Sequence, residues 1–298
     1  MGIFDFIKGN TKIAAVIGDP IEHSISPQLH NTLSWQLGIN MAYIPLRVDK
    51  AYLGKALETF KALGFIGINV TVPHKQHVIE YLDEVTEDAK LAGAVNTIEF
   101  RDGKLTGYNT DISGFVRMFK SEAGTGFRER DVVILGAGGA ARGVCIGIIR
   151  DGAKRISIAN RTLSRAEQLA EELNNLKKGS ASACLLNSRE MKKAIQHADI
   201  IINTTSVGMY PHTECNPLDE DIVFRENQIV CDLIYNPFET CLLKSARLSG
   251  CLTINGLGML IYQGVHSFEI WNKVEVPETV VKNVLASFKN YFKIKEIQ

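Results

Sequence analysis

Val132-Val133-Ile134-Leu135-Gly136-Ala137-Gly138-Gly139-Ala140-Ala141 is the stretch on which the fold turns. Val132 to Leu135 are apolar and mostly β-branched, the composition of a strand buried in a parallel sheet. They run into Gly-x-Gly-x-x-Ala, and a helix-compatible run, Ala140 to Ile149, follows at once. Gly136 permits the tight turn, Gly138 lets backbone come close to a pyrophosphate, and Ala141 is small enough for the helix to lie on the strand. The free N–H groups at the helix N-terminus then face the phosphates, with Ala137, Gly139 and Ala140 in the same loop. A small-residue turn can also be close packing alone. Its place between strand and helix is what points to a dinucleotide site.

The next strand bears on which dinucleotide. Arg155 to Ala159 alternates as a short strand, and Asn160-Arg161-Thr162-Leu163-Ser164-Arg165 follows. An NAD site usually places Asp or Glu there, about 20 residues past the glycines, to hold the ribose hydroxyls. Here the position offers Asn160 and then Arg161 and Arg165. A guanidinium fork suits a 2′-phosphate, so the missing acid favours NADP. The alternative, that Thr162 caps the next helix and the arginines are solvated, is compatible with it.

The 298 residues suffice for two domains. Hydrophobic residues make up 45%, and Lys+Arg equals Asp+Glu at 33 each, which gives no support to nucleic-acid or membrane binding. The six cysteines show no Cys-x-x-Cys, a pattern that suits the reducing cytoplasm and argues against a structural metal. Met1 to Lys8 is too short and too charged for a signal peptide, and no apolar run reaches the length of a membrane span.

Upstream, Ile13–Ile17 reads as a strand and Ser26-Pro27 as an N-cap with proline in the first helical turn. Ser24 is then left over, and two hydroxyls at a helix start can cradle an anion or a carboxylate. Phe65 to Pro73 is a further strand, and His74-Lys75 is expected to open the helix after it. A lysine there sits at the unfavourable end of the helix dipole, either as a surface residue or as a functional one on a strand-to-helix loop. Thr97-Ile98 leads toward a hairpin turn at Asp102-Gly103. Asp111 is suited to capping the helix through Phe119, and Asn96 and Asn109 to turns. From residue 132 onward strand and helix alternate as in a doubly wound sheet. A long helix then carries Leu260, Ile261, Val265, Phe268 and Trp271 on one face, with Gln263 off it.

These pieces resemble one family, the shikimate dehydrogenases. The resemblance rests on Gly-Asp-Pro-Ile-Glu-His-Ser-Ile-Ser-Pro-Gln-Leu-His-Asn, Asn-Val-Thr-Val-Pro-His-Lys, Gly-Ala-Val-Asn-Thr and Asn-Thr-Asp. Gly-Ala-Gly-Gly-Ala-Ala-Arg, Asn-Arg-Thr, Tyr-Asn-Pro and Gly-Leu-Gly-Met-Leu-Ile-Tyr-Gln complete it, in the family's order. It spans about Ile13 to Trp271. His74, Cys241 and Asn272 depart from the pattern without touching a matched site position.

The resemblance implies an α/β protein of two domains. A mixed-sheet substrate domain would hold residues 1–111 completed by 257–298, and a doubly wound Rossmann NADP-binding domain residues 112–256, with a cleft between them. It implies that Lys75 and Asp111 are the catalytic pair and that Ser24 and Ser26 hold a substrate carboxylate. Thr71, Asn96, Tyr235 and Gln263 would contact the rest of the substrate, and Asn69 would shape the pocket floor. NADP would meet Gly136 to Ala140, Asn160 to Arg165, Leu233, Gly256 and Met259. The implied reaction is reversible NADPH-dependent reduction of 3-dehydroshikimate to shikimate in aromatic amino acid biosynthesis. A quinate/shikimate dehydrogenase is the alternative enzyme, and an NADP-binding regulatory or scaffold protein that has lost turnover the alternative of another class; its mark would be a missing lysine or aspartate, and Lys75 and Asp111 are both present. No nucleic-acid or membrane partner is expected, and a homodimer is the candidate assembly.

Overall fold

Alternating strands and helices build two separate six-stranded sheets, so the expected α/β class and two-domain fold hold. The computed structural model describes residues 7–297; Met1 to Phe6, most of the charged N-terminal stretch, lie outside the described residues. Two compact units emerge, one of the chain up to Gly114 with Ile261–Ala286, the other of Phe115–Leu260 with the chain from Ser287.

The first unit contains β1 (Lys12–Gly18), α1 (Ser26–Leu37), β2 (Met41–Arg47), α2 (Leu53–Ala62), β3 (Gly67–Val70), β4 (Glu84–Val85), α3 (Glu87–Ala92), β5 (Thr97–Arg101) and β6 (Lys104–Tyr108). Its sheet runs β2-β1-β3-β5-β6-β4. β1 pairs with β2 and β3 in parallel, while β3 with β5 and β5 with β6 are antiparallel. The antiparallel pair is closed by Asp102 and Gly103, both at positive φ, as a two-residue hairpin with this composition requires. Gly67 is fixed by packing: a Cβ there would stand 2.0 Å from Trp271 Nε1, which donates to Ile98 O at 2.9 Å.

Three local expectations need correction. α1 begins at Ser26 with Ile25 at the cap position and no side-chain cap bond. Instead Ser24 Oγ accepts the Ser26 N–H at 3.4 Å, so Ser26 is not the N-cap. Lys75 does not open a helix either, because residues 72–76 form turns ahead of a single 3₁₀ stretch, His77–Tyr81. Asp111 does not cap α4 (Thr110–Ala123). Asn109 does, its Oδ1 accepting from the Asp111 and Ile112 N–H groups at 3.2 and 3.4 Å. Asn and Asp are equally good caps two positions apart, and Asn109 is held in place by its Nδ2 donating to Ala94 O at 2.9 Å.

The second unit contains β7 (Asp131–Leu135), α5 (Gly139–Arg150), β8 (Arg155–Asn160), α6 (Leu163–Leu176), β9 (Ala181–Leu185), α7 (Arg189–His197), β10 (Ile200–Asn203), β11 (Ile229–Asp232), α8 (Cys241–Leu248) and β12 (Leu252–Ile254). Its sheet is parallel throughout, in the order β12-β11-β10-β7-β8-β9. That is the Rossmann order, with the switch point between β7 and β10, where ligands of such sheets bind. Val132 to Leu135 and all of β10 are buried, as central parallel strands should be. The chain continues through α9 (Leu257–Asn272) and α10 (Glu278–Ile297). No helix among the described residues is long and apolar enough to cross a membrane.

Candidate active site

In the first unit, the sheet ends deliver Lys75 and Asp111 to one another: Nζ lies 2.6 Å from Oδ2, with the side chains 33% and 25% exposed. Lys75 is held by its backbone, since its carbonyl accepts the Val95 N–H at 2.8 Å. The turn that bears it is closed by His74 N donating to Thr71 O, and the buried His74 ring donates Nε2–H to Val48 O at 2.7 Å. A carbonyl only accepts, which settles that tautomer. Thr71 itself is tied to β1 through its N–H on Ile17 O.

Asn96 completes the arrangement. Its Oδ1 takes the Thr110 N–H at 2.8 Å, a group that can only donate, so its Nδ2 must face the other way. There it meets Asp111 Oδ1 at 2.8 Å, Thr110 Oγ1 at 3.0 Å and Gln263 Oε1 at 3.4 Å. Gln263 comes close because Gly114 on α4 would clash with its backbone if it bore a Cβ, 2.6 Å from the Gln263 N. Gln263, off the apolar stripe in sequence, thus belongs with Lys75, Asn96 and Asp111. Ser24 and Ser26 stand at the start of α1 in the same unit, half-buried.

Sequence reasoning missed the buried polar layer behind these groups. Asn69, expected to shape the pocket floor, is held by protein groups at both ends of its amide. Its Oδ1 accepts from Tyr43 Oη at 2.7 Å, and its Nδ2 lies 3.0 Å from Thr97 Oγ1 and 2.9 Å from Ser267 Oγ. Ser267 lies four residues after Gln263, hence on the same helix face, and that spacing was readable. His30 stacks on Tyr43 at 4.1 Å and is fully buried. Burial pulls its pKa down to about 3.

In the second unit a glycine-rich loop joins β7 to α5, as expected. Gly136 has φ 107°, and a Cβ there would stand 2.7 Å from Thr204 Oγ1, so conformation and space both demand glycine. At Gly138 and Gly139 a Cβ would meet nothing within 4 Å, and both residues are exposed. Gly138 offers no side-chain acceptor to the first N–H groups of α5. Open backbone beside a helix start fits a phosphate donor set. Asn160 Nδ2 donates to Thr162 O at 2.9 Å, and Arg161, Thr162, Leu163, Ser164 and Arg165 are all exposed. Thr162 precedes α6 without making a side-chain cap bond.

Leu233 and Gly256 are brought together: a Cβ on Gly256 would lie 1.9 Å from Leu233 O, and the Gly256 N–H donates to Ile234 O. Met259 follows in α9, half-buried. Tyr235 belongs to this unit, packed edge-on against Phe292 at 5.6 Å, and burial raises its phenol. The loop bearing Leu233 and Tyr235 is anchored by buried Asp232, which accepts from Asn203, Ile234 N and Thr240 Oγ1. Burial lifts that carboxyl to about 6. All six cysteines are free, and no cluster of His, Cys, Asp or Glu fit to hold a metal occurs among the described residues.

Comparison with known proteins places these features in one lineage. The family model "Shikimate dehydrogenase substrate binding domain" matches residues 16–98. "Shikimate / quinate 5-dehydrogenase" matches residues 118–214, and "Shikimate 5'-dehydrogenase C-terminal domain" matches 256–286. A shikimate dehydrogenase (NADP(+)) of Alkaliphilus oremlandii is 45% identical over 280 residues, 94% of this chain and 98% of that protein. A solved shikimate dehydrogenase in complex with NADP+ superposes with a TM-score of 0.86 at 43% identity, over 94% of this chain and 96% of that one. The shikimate 5-dehydrogenase of Listeria monocytogenes, in complex with shikimate and NAD, gives 0.88 at 38% identity, over 94% and 98%.

Proposed function

The chain belongs to the shikimate dehydrogenase family, and from that premise we propose that it catalyses the reversible, NADPH-dependent reduction of 3-dehydroshikimate to shikimate in the shikimate pathway. The observation that carries this reading is the Lys75–Asp111 pair, 2.6 Å apart, partly exposed and locked from behind by Asn96. The first unit serves as the substrate domain and the second as the NADP-binding domain. The free cysteines support a reducing, cytoplasmic setting.

Gly136–Ala140 and Asn160–Arg165, with Leu233, Gly256 and Met259, would hold NADPH, which would supply the hydride for the carbonyl carbon. Lys75 stabilises the negative charge that develops on the carbonyl oxygen and is the source of its proton. Asp111 orients the ammonium through a charge-assisted bond, and Asn96 orients Asp111. Ser24 and Ser26 take the substrate carboxylate through their hydroxyls, while Thr71, Asn96, Gln263 and Tyr235 contact the ring substituents. Asn69 supports this set from beneath, since its amide is occupied by protein groups on both ends.

The test is reduction of NADP+ followed by absorbance, with shikimate and quinate side by side and NAD+ as the second cofactor. Turnover of shikimate with NADP+ well ahead of the other combinations is expected. Equal use of quinate and NAD+ overturns the reading in favour of a quinate/shikimate dehydrogenase.

A further inference from the structure

We propose that Tyr43 is a positioning residue of the reaction, its phenol anchoring a buried hydrogen-bond network that runs through Asn69, Thr97 and Ser267 to the Asn96 amide and so to Asp111. The proposal rests on the roles given to Lys75 and Asp111 above.

The phenol lies 2.7 Å from Asn69 Oδ1. The Asn96 carbonyl, 3.2 Å from Asn69 Nδ2, only accepts, so the amide presents its NH₂ to that carbonyl, to Thr97 Oγ1 at 3.0 Å and to Ser267 Oγ at 2.9 Å, and its oxygen to the phenol, which donates. The Thr97 and Ser267 hydroxyls lie 2.8 Å apart, so phenol, amide and hydroxyls form one buried network. Thr97 Oγ1 is 3.1 Å from Asn96 Oδ1, and Ser267 Oγ is 3.1 Å from Gln263 O. The Asn96 oxygen is thus held by the Thr97 hydroxyl as well as by the Thr110 N–H, and its NH₂ by Asp111.

The network is sealed from bulk water. Tyr43 is 2% exposed, Asn69 7%, Asn96 2%, and Thr97, Thr110 and Ser267 0%. Without the phenol the buried Asn69 oxygen loses its donor, and the amide is no longer pinned against Thr97 and Ser267. Thr97 is then held less firmly on the Asn96 oxygen, and the clamp on Asp111 loses one of its supports. The Ser26 hydroxyl also acts on the Tyr43 phenol, partly offsetting the upward push of burial.

The experiment uses the full-length protein with Tyr43→Phe, Thr97→Val and Thr97→Ser. Loss of one buried hydrogen bond sets the scale, so Tyr43→Phe and Thr97→Val should each lower kcat for shikimate by about 3- to 10-fold, with KM for NADP+ within about twofold. Thr97→Ser keeps the hydroxyl and should restore most of the turnover. The double variant Tyr43→Phe/Thr97→Val should fall little further than the worse single, because both cut one chain. In the ligand-free protein the side-chain NH₂ resonances of Asn96 should shift on Tyr43→Phe. Wild-type kcat in Tyr43→Phe, or Thr97→Ser as impaired as Thr97→Val, overturns the proposal, as do unmoved Asn96 resonances. Were the unmutated protein inactive on shikimate, the functional reading would fall while those resonances still decided on the chain.

Discussion

Asn96 grips Asp111 by the carboxylate oxygen that Lys75 leaves free, at 2.8 Å on Oδ1 against 2.6 Å for the ammonium on Oδ2. Because the Thr110 N–H takes the Asn96 oxygen, the amide cannot turn over and still satisfy that backbone donor. Asp111 is left with one geometry, and Lys75 is presented from it. The arrangement is preorganised before any substrate arrives, which is what a positioned proton donor requires.

Lys75→Ala should therefore reduce turnover by at least the ~100-fold typical of losing a positioned acid–base group, with NADP+ binding nearly unchanged. Asn96→Leu should also impair turnover, and it should lower the melting temperature as well, because it leaves the Thr110 N–H buried without its acceptor. Steady-state kinetics with shikimate and a thermal melt separate the two. Near-wild-type turnover in Lys75→Ala would remove the lysine from the mechanism.

Ser24→Ala/Ser26→Ala should weaken shikimate binding by roughly 1.5–3 kcal/mol for each charge-assisted bond lost. Since Ser26 makes no cap bond in α1, little of the ~1 kcal/mol capping penalty should appear in a melt. An analogue without the ring carboxylate should be nearly indifferent to the double variant. An equal loss for that analogue would make the serines structural.

The Rossmann unit was legible because its signals are local. Gly136, Gly138 and Ala141 do their work within ten residues of β7, and strand and helix alternate after them. The layer beneath Asp111 was not, since Tyr43, Asn69, Thr97 and Ser267 come from four separate stretches and meet only through the sheet and α9. A strand followed by Pro-His-Lys reads as a helix start, which puts Lys75 on a helix; turns tied to Val48 and Val95 override that pattern. In sequence Asp111 reads as the cap and Asn109 as a turn residue, and only the Ala94 carbonyl, far off in the chain, shows that Asn109 is the one held in the capping position.

His30 gives the fold an acid-side weakness. Buried against Tyr43 and Trp271, it is held neutral with a pKa of about 3, below the ordinary 6.5. The folded value lies below the unfolded one, so this contribution is fully present above pH 6.5 and is lost as pH falls toward 3. Between about pH 7 and about pH 4 the loss should be ~3 kcal/mol. His30→Phe keeps a ring in the stack and removes the titration. Denaturant unfolding at several pH values should show the wild type losing that stability relative to the variant. A difference that does not change with pH would mean the imidazole is not buried neutral.

Cofactor choice rests on Arg161 and Arg165. Arg161 lies in the turn after β8 and Arg165 in the first turn of α6, four residues on, so both can face one phosphate. Both are exposed, and neither is in an ion pair among the described residues, so no internal carboxylate competes for them. β8 ends in Asn160, whose amide is turned onto Thr162 O, and no acid stands there for the ribose hydroxyls of NAD. Two charge-assisted contacts at roughly 1.5–3 kcal/mol each, discounted for solvent exposure, give an NADP preference of ~10²–10³ in kcat/KM. Arg161→Ala should remove much of that preference through NADP+ while leaving the kinetics with NAD+ almost alone. Rising salt should shrink it too, because contacts this exposed are screened. Equal kcat/KM for the two cofactors in the unmutated protein would show that the arginines do not read the 2′-phosphate.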